Sequence, residues 1–116
     1  MSTREQRNRL SLLQGTLDLL ILRTLALGPQ HGQGIARAIQ ESSDDELLVE
    51  HGALYPALQR LEAQEWIAAE WGVSDNNRKA RFYTLTKAGR KRLVAETSRW
   101  RRLAGAIGRV LGPEAV

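Results

Sequence analysis

Two short stretches of this 116-residue chain carry side chains suited to recognising a base edge or a phosphate. In HGALYPALQRLEAQEW, Leu54, Leu58 and Leu61 recur at intervals of four and three, which places them on one stripe of a helix. His51, Ala53, Tyr55, Gln59 and Arg60 fall off that stripe. Glutamine can pair bidentately with adenine and arginine with guanine, while a small residue such as Ala53 can touch a thymine methyl. Tyr55 and Pro56 also have an architectural reading, with Pro56 expected near the start of the helix, where a missing amide hydrogen costs least. The second stretch, GVSDNNRKARF, gathers Asn77, Arg78, Lys79 and Arg81. Cations of this kind contact phosphate, supplying orientation and salt-dependent affinity but little sequence information.

Nucleophilic, redox and metal chemistry find little support. The chain has no cysteine, which removes a thiolate nucleophile, a disulfide framework and any cysteine-based zinc site. Its two histidines, His31 and His51, belong to no ligand-spaced cluster, and neither a glycine-rich phosphate loop nor a nucleophile motif occurs. No catalytic residue, metal or cofactor is expected, and the chain is not read as an enzyme.

The charge is segregated along the chain. Glu41 to Asn77 holds nine acidic residues against one basic, Arg60, whereas Arg78 to Arg109 holds eleven basic against one acidic, Glu96. A net charge of +4 makes nucleic acid a reasonable partner, and the distribution directs attention to the second half. The longest apolar run, Leu17 to Leu27, is interrupted by Asp18, Arg23 and Thr24 and falls short of the roughly 18 residues that read as membrane-spanning. The opening MSTREQRNRL has mixed charges and no signal-peptide core, so a cytoplasmic location without membrane association is expected.

The elements that must position these residues can be read from periodicity. LLQGTLDLLILRTLALG has a broad apolar helical face closed by Gly28 and Pro29. A short second helix follows, with His31 at its start, Ile35, Ala36 and Ile39 on its stripe, and an exit at Ser42 to Asp45. After the Leu54 helix the period falls to two: Ile67, Ala69 and Trp71 alternate in one strand, Tyr83 and Leu85 in another. The polar GVSDNNRKA between them joins the strands as a hairpin. Thr86 can cap a long last helix in which Leu93, Thr97, Trp100, Ala104, Ile107 and Leu111 form a heptad-like seam, ended by Gly112 and Pro113. The fold class expected is mainly α with a small β-hairpin: a winged helix-turn-helix followed by a long C-terminal dimerisation helix. A winged helix also serves as a protein-interaction module, and the acidic ESSDDELLVE keeps that alternative open.

GPQHGQGIARAIQ, HGALYPALQRLEAQEWIAAEW and NNRKARFYTLTKAGRKRL, in this order, resemble the PadR family of transcriptional regulators from about Leu12 to Leu111. Gln33 departs from the family pattern, which often has an aromatic between the two glycines. The resemblance implies a repressor that binds a dyad-symmetric, double-stranded DNA operator as a homodimer and is released by a small molecule. It divides the chain into an arm (1–11), a winged-helix domain (12–86), a dimerisation helix (87–112) and a tail (113–116). The expected dimer interface comprises Leu13, Leu17, Leu93, Trp100, Leu103, Ala104, Ile107 and Leu111, with folding of the seam back onto its own chain as the other reading. Trp100, Leu103 and Ile107 are the candidate lining of a pocket for an aromatic or cationic effector, unless Trp100 is ordinary interface packing.

Overall fold

The computed structural model describes residues 14–113. The elements run α1 (Gln14–Ala26), β1 (Gln30–His31), α2 (Gly32–Ser42), α3 (His51–Ala63), β2 (Ile67–Val73), β3 (Lys79–Leu85) and α4 (Lys87–Leu111). The arm, Leu13 and residues 114–116 lie outside the described residues. The three helices, the hairpin and the long final helix follow the order expected from periodicity. The sheet has one strand more, because β1 pairs antiparallel with β3 to give the order β1-β3-β2. Two residues show no period, so β1 left no sequence signal.

One core draws on every helix and on β2 and β3. Ile21 and Leu22 from α1, Ile35 from α2, Leu54, Leu58 and Leu61 from α3, and Ile67 from β2 are almost wholly buried. Removing side chains of this size from water contributes about 1.5–3 kcal/mol each. Leu17 and Leu93 belong to the same cluster, at 3% and 7% exposure. This corrects the expected dimer interface: α1 packs on the first turns of α4, and both leucines are consumed in the chain's own core.

Local caps hold the helices that carry the candidate site. His31 Nδ1 accepts a hydrogen bond from Gly34 N–H at 3.1 Å, and its ring meets the Phe82 ring edge-on at 5.3 Å. His31→Ala is therefore expected to cost about 1 kcal/mol, while His31→Asn, which retains a capping acceptor, should lose less; chemical denaturation measures both. The α3 helix ends with Glu65 at φ 61°, where Trp66 N–H bonds to Leu61 C=O at 3.1 Å and Glu65 N–H to Glu62 C=O at 2.9 Å. This pattern satisfies carbonyls that the helix end would leave unpaired. Pro56 is the sixth residue of α3, one turn further in than expected, so Gly52 C=O lacks its amide partner four residues on.

The capping geometry carries straight into α4. Thr86 Oγ1 accepts from Gly89 N–H at 3.0 Å and donates to Glu65 C=O at 2.7 Å, while Thr86 N–H reaches Trp66 C=O at 3.1 Å. The start of α4 is thus fastened to the turn after α3. Beyond Leu93 the helix leaves the core, and Trp100, Leu103, Ile107 and Leu111 are all exposed. With the hairpin, this overhang gives a radius of gyration of 15.8 Å, against about 13 Å for a compact chain of this length.

Candidate nucleic-acid interface

The third helix divides cleanly into two faces. Leu54, Ala57, Leu58 and Leu61 point into the core, and His51, Ala53, Tyr55, Pro56 and Gln59 point out. Tyr55 packs as its architectural reading expects and also keeps part of its ring exposed. Its ring lies so close to Gly32 that a Cβ there would stand 3.0 Å from the phenol oxygen, which fixes the start of α2 against α3. Its edge-on contact with His51, at 5.8 Å, leaves the ring 44% exposed beside the outward residues.

Arg60 is paired within the chain. Its Nη2 donates to Asp18 Oδ1 at 2.9 Å, so the side chain turns back toward α1 instead of extending from the outward face. A contact across 42 residues leaves no local pattern, and sequence reasoning missed it for that reason. The same holds for Arg81, whose Nη2 donates to Glu62 Oε2 at 2.9 Å. Glu62 thus ties the end of α3 to the wing.

The wing is the β2–β3 hairpin. Its register places Ile67 opposite Leu85, Ala69 opposite Tyr83, Trp71 opposite Arg81 and Val73 opposite Lys79. Because cross-strand partners share a face, these pairs form one continuous inner surface. Its base is buried at Ile67 and Tyr83, but Trp71 and Val73 are 63% and 66% exposed. The alternation predicted from sequence therefore outruns the core. The Lys79 ammonium sits 5.0 Å from the centre of the Trp71 ring, within cation–π range. At the tip, Asn77 N–H donates to Ser74 C=O at 2.9 Å, and Asn77 adopts φ 59°, a left-handed conformation that asparagine tolerates well. Asn77, Arg78 and Lys79 are exposed, and neither cation has a carboxylate partner among the described residues.

The basic start of α4 is partly committed elsewhere. Arg92 stacks over the Trp66 ring at 4.7 Å and pairs with Glu96 at 2.9 Å, which also lies 3.7 Å from Arg99. Lys87, Arg90 and Lys91 are exposed. Further along, Trp100, Leu103, Ala104, Ile107 and Leu111 line a shallow apolar groove with Gly108. Among the described residues there is no group of three or more histidine, cysteine or acidic side chains placed to hold a metal, and no helix long and apolar enough to cross a membrane.

Three helices followed by a hairpin whose tip is cationic define a winged helix-turn-helix. The wider comparisons agree on the class: residues 21–95 match the transcriptional regulator PadR-like family. The chain belongs to that family, whose members are regulators of transcription and not enzymes. A PadR family transcription regulator from Clostridium difficile is similar at 26% identity and a TM-score of 0.72, over 83% of this chain and 98% of that one. A PadR family regulator from Eggerthella lenta is 28% identical with a TM-score of 0.71, covering 87% and 86% of the two chains. A transcriptional regulator from Clostridium thermocellum has the same fold, at 24% identity and a TM-score of 0.77 over 85% and 96%. A protein of Lysinibacillus sphaericus is 28% identical over 79% of this chain and 84% of its own length. By contrast, the chain corresponds to only 27% of a 37.1 kDa protein of a Streptomyces fradiae transposon, to which it is 36% identical over 85% of its own length.

Proposed function

We propose that this chain is a repressor that binds a dyad-symmetric operator as a homodimer and is released by an aromatic or cationic small molecule. The observation that carries the DNA-binding part is the pairing of two surfaces. The outward side chains of α3, namely His51, Ala53, Tyr55 and Gln59, stand beside a wing whose free cations, Arg78 and Lys79, lie at its tip. The helix would read base edges in the major groove while Asn77, Arg78 and Lys79 follow a phosphate strand or enter the adjacent minor groove. The test is competition: DNA from upstream of the chain's own gene should displace itself from the protein far better than an unrelated duplex does. Equal competition would leave a module without operator specificity.

Dimerisation rests on the far half of α4. Trp100, Leu103, Ile107 and Leu111 are between 49% and 76% exposed, on a helix that projects past its own core. With Ala104 they form a face at helical spacing that a second copy of the same face can cover. Ile107→Glu is expected to convert a species of twice the 13.0 kDa chain mass to monomer while leaving the winged-helix core folded; sedimentation measures the change. A small aromatic seated between Trp100, Leu103 and Ile107 would alter the separation of the two α3 helices. That separation must match about 34–36 Å, or a multiple of it, on DNA.

A further inference from the structure

Arg60 on α3 and Arg81 on the adjoining wing are both paired with carboxylates of the same chain. Arg60 is the only lysine or arginine of α3, and it is held by Asp18. Arg81, on the inner face of the wing, is held by Glu62. Free positive charge is thereby displaced from the middle of the surface to its edge, at Arg78 and Lys79.

The pairs differ in what they allow. Arg60 has a buried Nε that finds no partner among the described residues, and its side chain spans two helices of the core. The Arg81 and Glu62 side chains are 44% and 32% exposed and lie at the seam between helix and wing. An ion pair this wet adds little net stability. An arginine can instead offer a phosphate two parallel, charge-assisted hydrogen bonds. Phosphate therefore competes for Arg81 on favourable terms, but the exchange leaves the Glu62 carboxylate without its partner beside a polyanion.

We propose that Glu62 is an affinity-limiting residue of the DNA interface: it holds Arg81 in the free protein, and on DNA Arg81 exchanges it for a phosphate. The inference rests on the DNA-binding reading above. An internal competitor of this kind weakens the electrostatic contribution common to all sequences. It keeps the regulator from being sequestered on the large excess of non-operator DNA.

Fluorescence anisotropy with a labelled duplex of arbitrary sequence, measured over a salt series, tests the exchange with Glu62→Gln and Arg81→Ala. Glu62→Gln, which preserves the shape of the side chain, should tighten binding by about tenfold, since two protomers each lose one opposing charge. Arg81→Ala should flatten the slope of log K against log salt by about 1.8, the loss of one phosphate contact per protomer. Circular dichroism melting confirms that both variants remain folded. Weaker or unchanged binding by Glu62→Gln would overturn the proposal and make the pair a brace that fixes the wing's angle. An unchanged slope for Arg81→Ala would overturn it too. If the unaltered chain binds no DNA at any salt, the DNA-binding reading falls as well; if it binds and Glu62→Gln fails to tighten it, only the exchange falls.

Discussion

Replacing Arg78 and Lys79 together with alanine is expected to weaken DNA binding by about ten- to a hundredfold, the loss of two phosphate-seeking cations from each protomer. Both side chains are exposed at the wing tip, and neither is engaged by a carboxylate among the described residues. Lys79 is nevertheless not loose, because the Trp71 ring supports its ammonium at 5.0 Å. In a dimer the double substitution removes up to four phosphate contacts, so the slope of log K against log salt should fall by about 3 to 4. Preference between sequences should change little, since phosphate contacts carry no sequence information directly. A titration at several salt concentrations measures affinity and slope together. If both are unchanged, the wing is not the electrostatic anchor.

Gly89→Ala is expected to be the most destabilising single substitution considered. A Cβ at Gly89 would stand 1.9 Å from the backbone oxygen of Trp66 and 2.8 Å from Leu85 Cδ1. The obstruction is main chain, so no rotamer change relieves it. The same oxygen accepts the Thr86 N–H, and the Gly89 N–H is the donor that Thr86 Oγ1 caps. Admitting a methyl group means lifting the start of α4 from the turn after α3, which loosens the cap and the packing of Leu93. Overpacking against backbone of this kind costs about 3 kcal/mol or more. For a domain of this size that corresponds to a fall of about 12 °C or more in Tm, read by circular dichroism. The lesion should also weaken dimerisation, because α4 carries the exposed apolar face.

Wherever one element's own period decides its partners, the fold was legible in the sequence. Leu54, Leu58 and Leu61 marked the buried stripe of α3, Thr86 marked the start of α4, and the alternation around Trp71 and Tyr83 marked the hairpin. The reading failed where periodicity continues past the surface that gives it meaning. Trp71 keeps its strand phase but has no core beneath it, and Leu93 keeps the phase of the seam but is claimed by α1. Leu17 was misplaced for the same reason, since an apolar helical stripe does not say which chain covers it. The ion pairs of Arg60 with Asp18 and of Arg81 with Glu62 join residues that only the tertiary fold brings together. They revise the candidate interface most, because in the free protein they tie two guanidiniums to carboxylates of the same chain, so that the outward face of α3 carries no unpaired lysine or arginine.

The proposed division of labour, with charge at the wing tip and base readout on a nearly neutral helix, is best tested by one titration. The purified chain is added to labelled DNA from upstream of its own gene, and to a scrambled duplex, over a salt series with stoichiometry measured at saturation. Two chains per operator are expected, with a log–log salt slope set by the wing cations and a sequence preference that persists at salt high enough to abolish binding to the scrambled duplex. Binding that is absent at low salt, or equal for both duplexes at every salt, would contradict the proposed division.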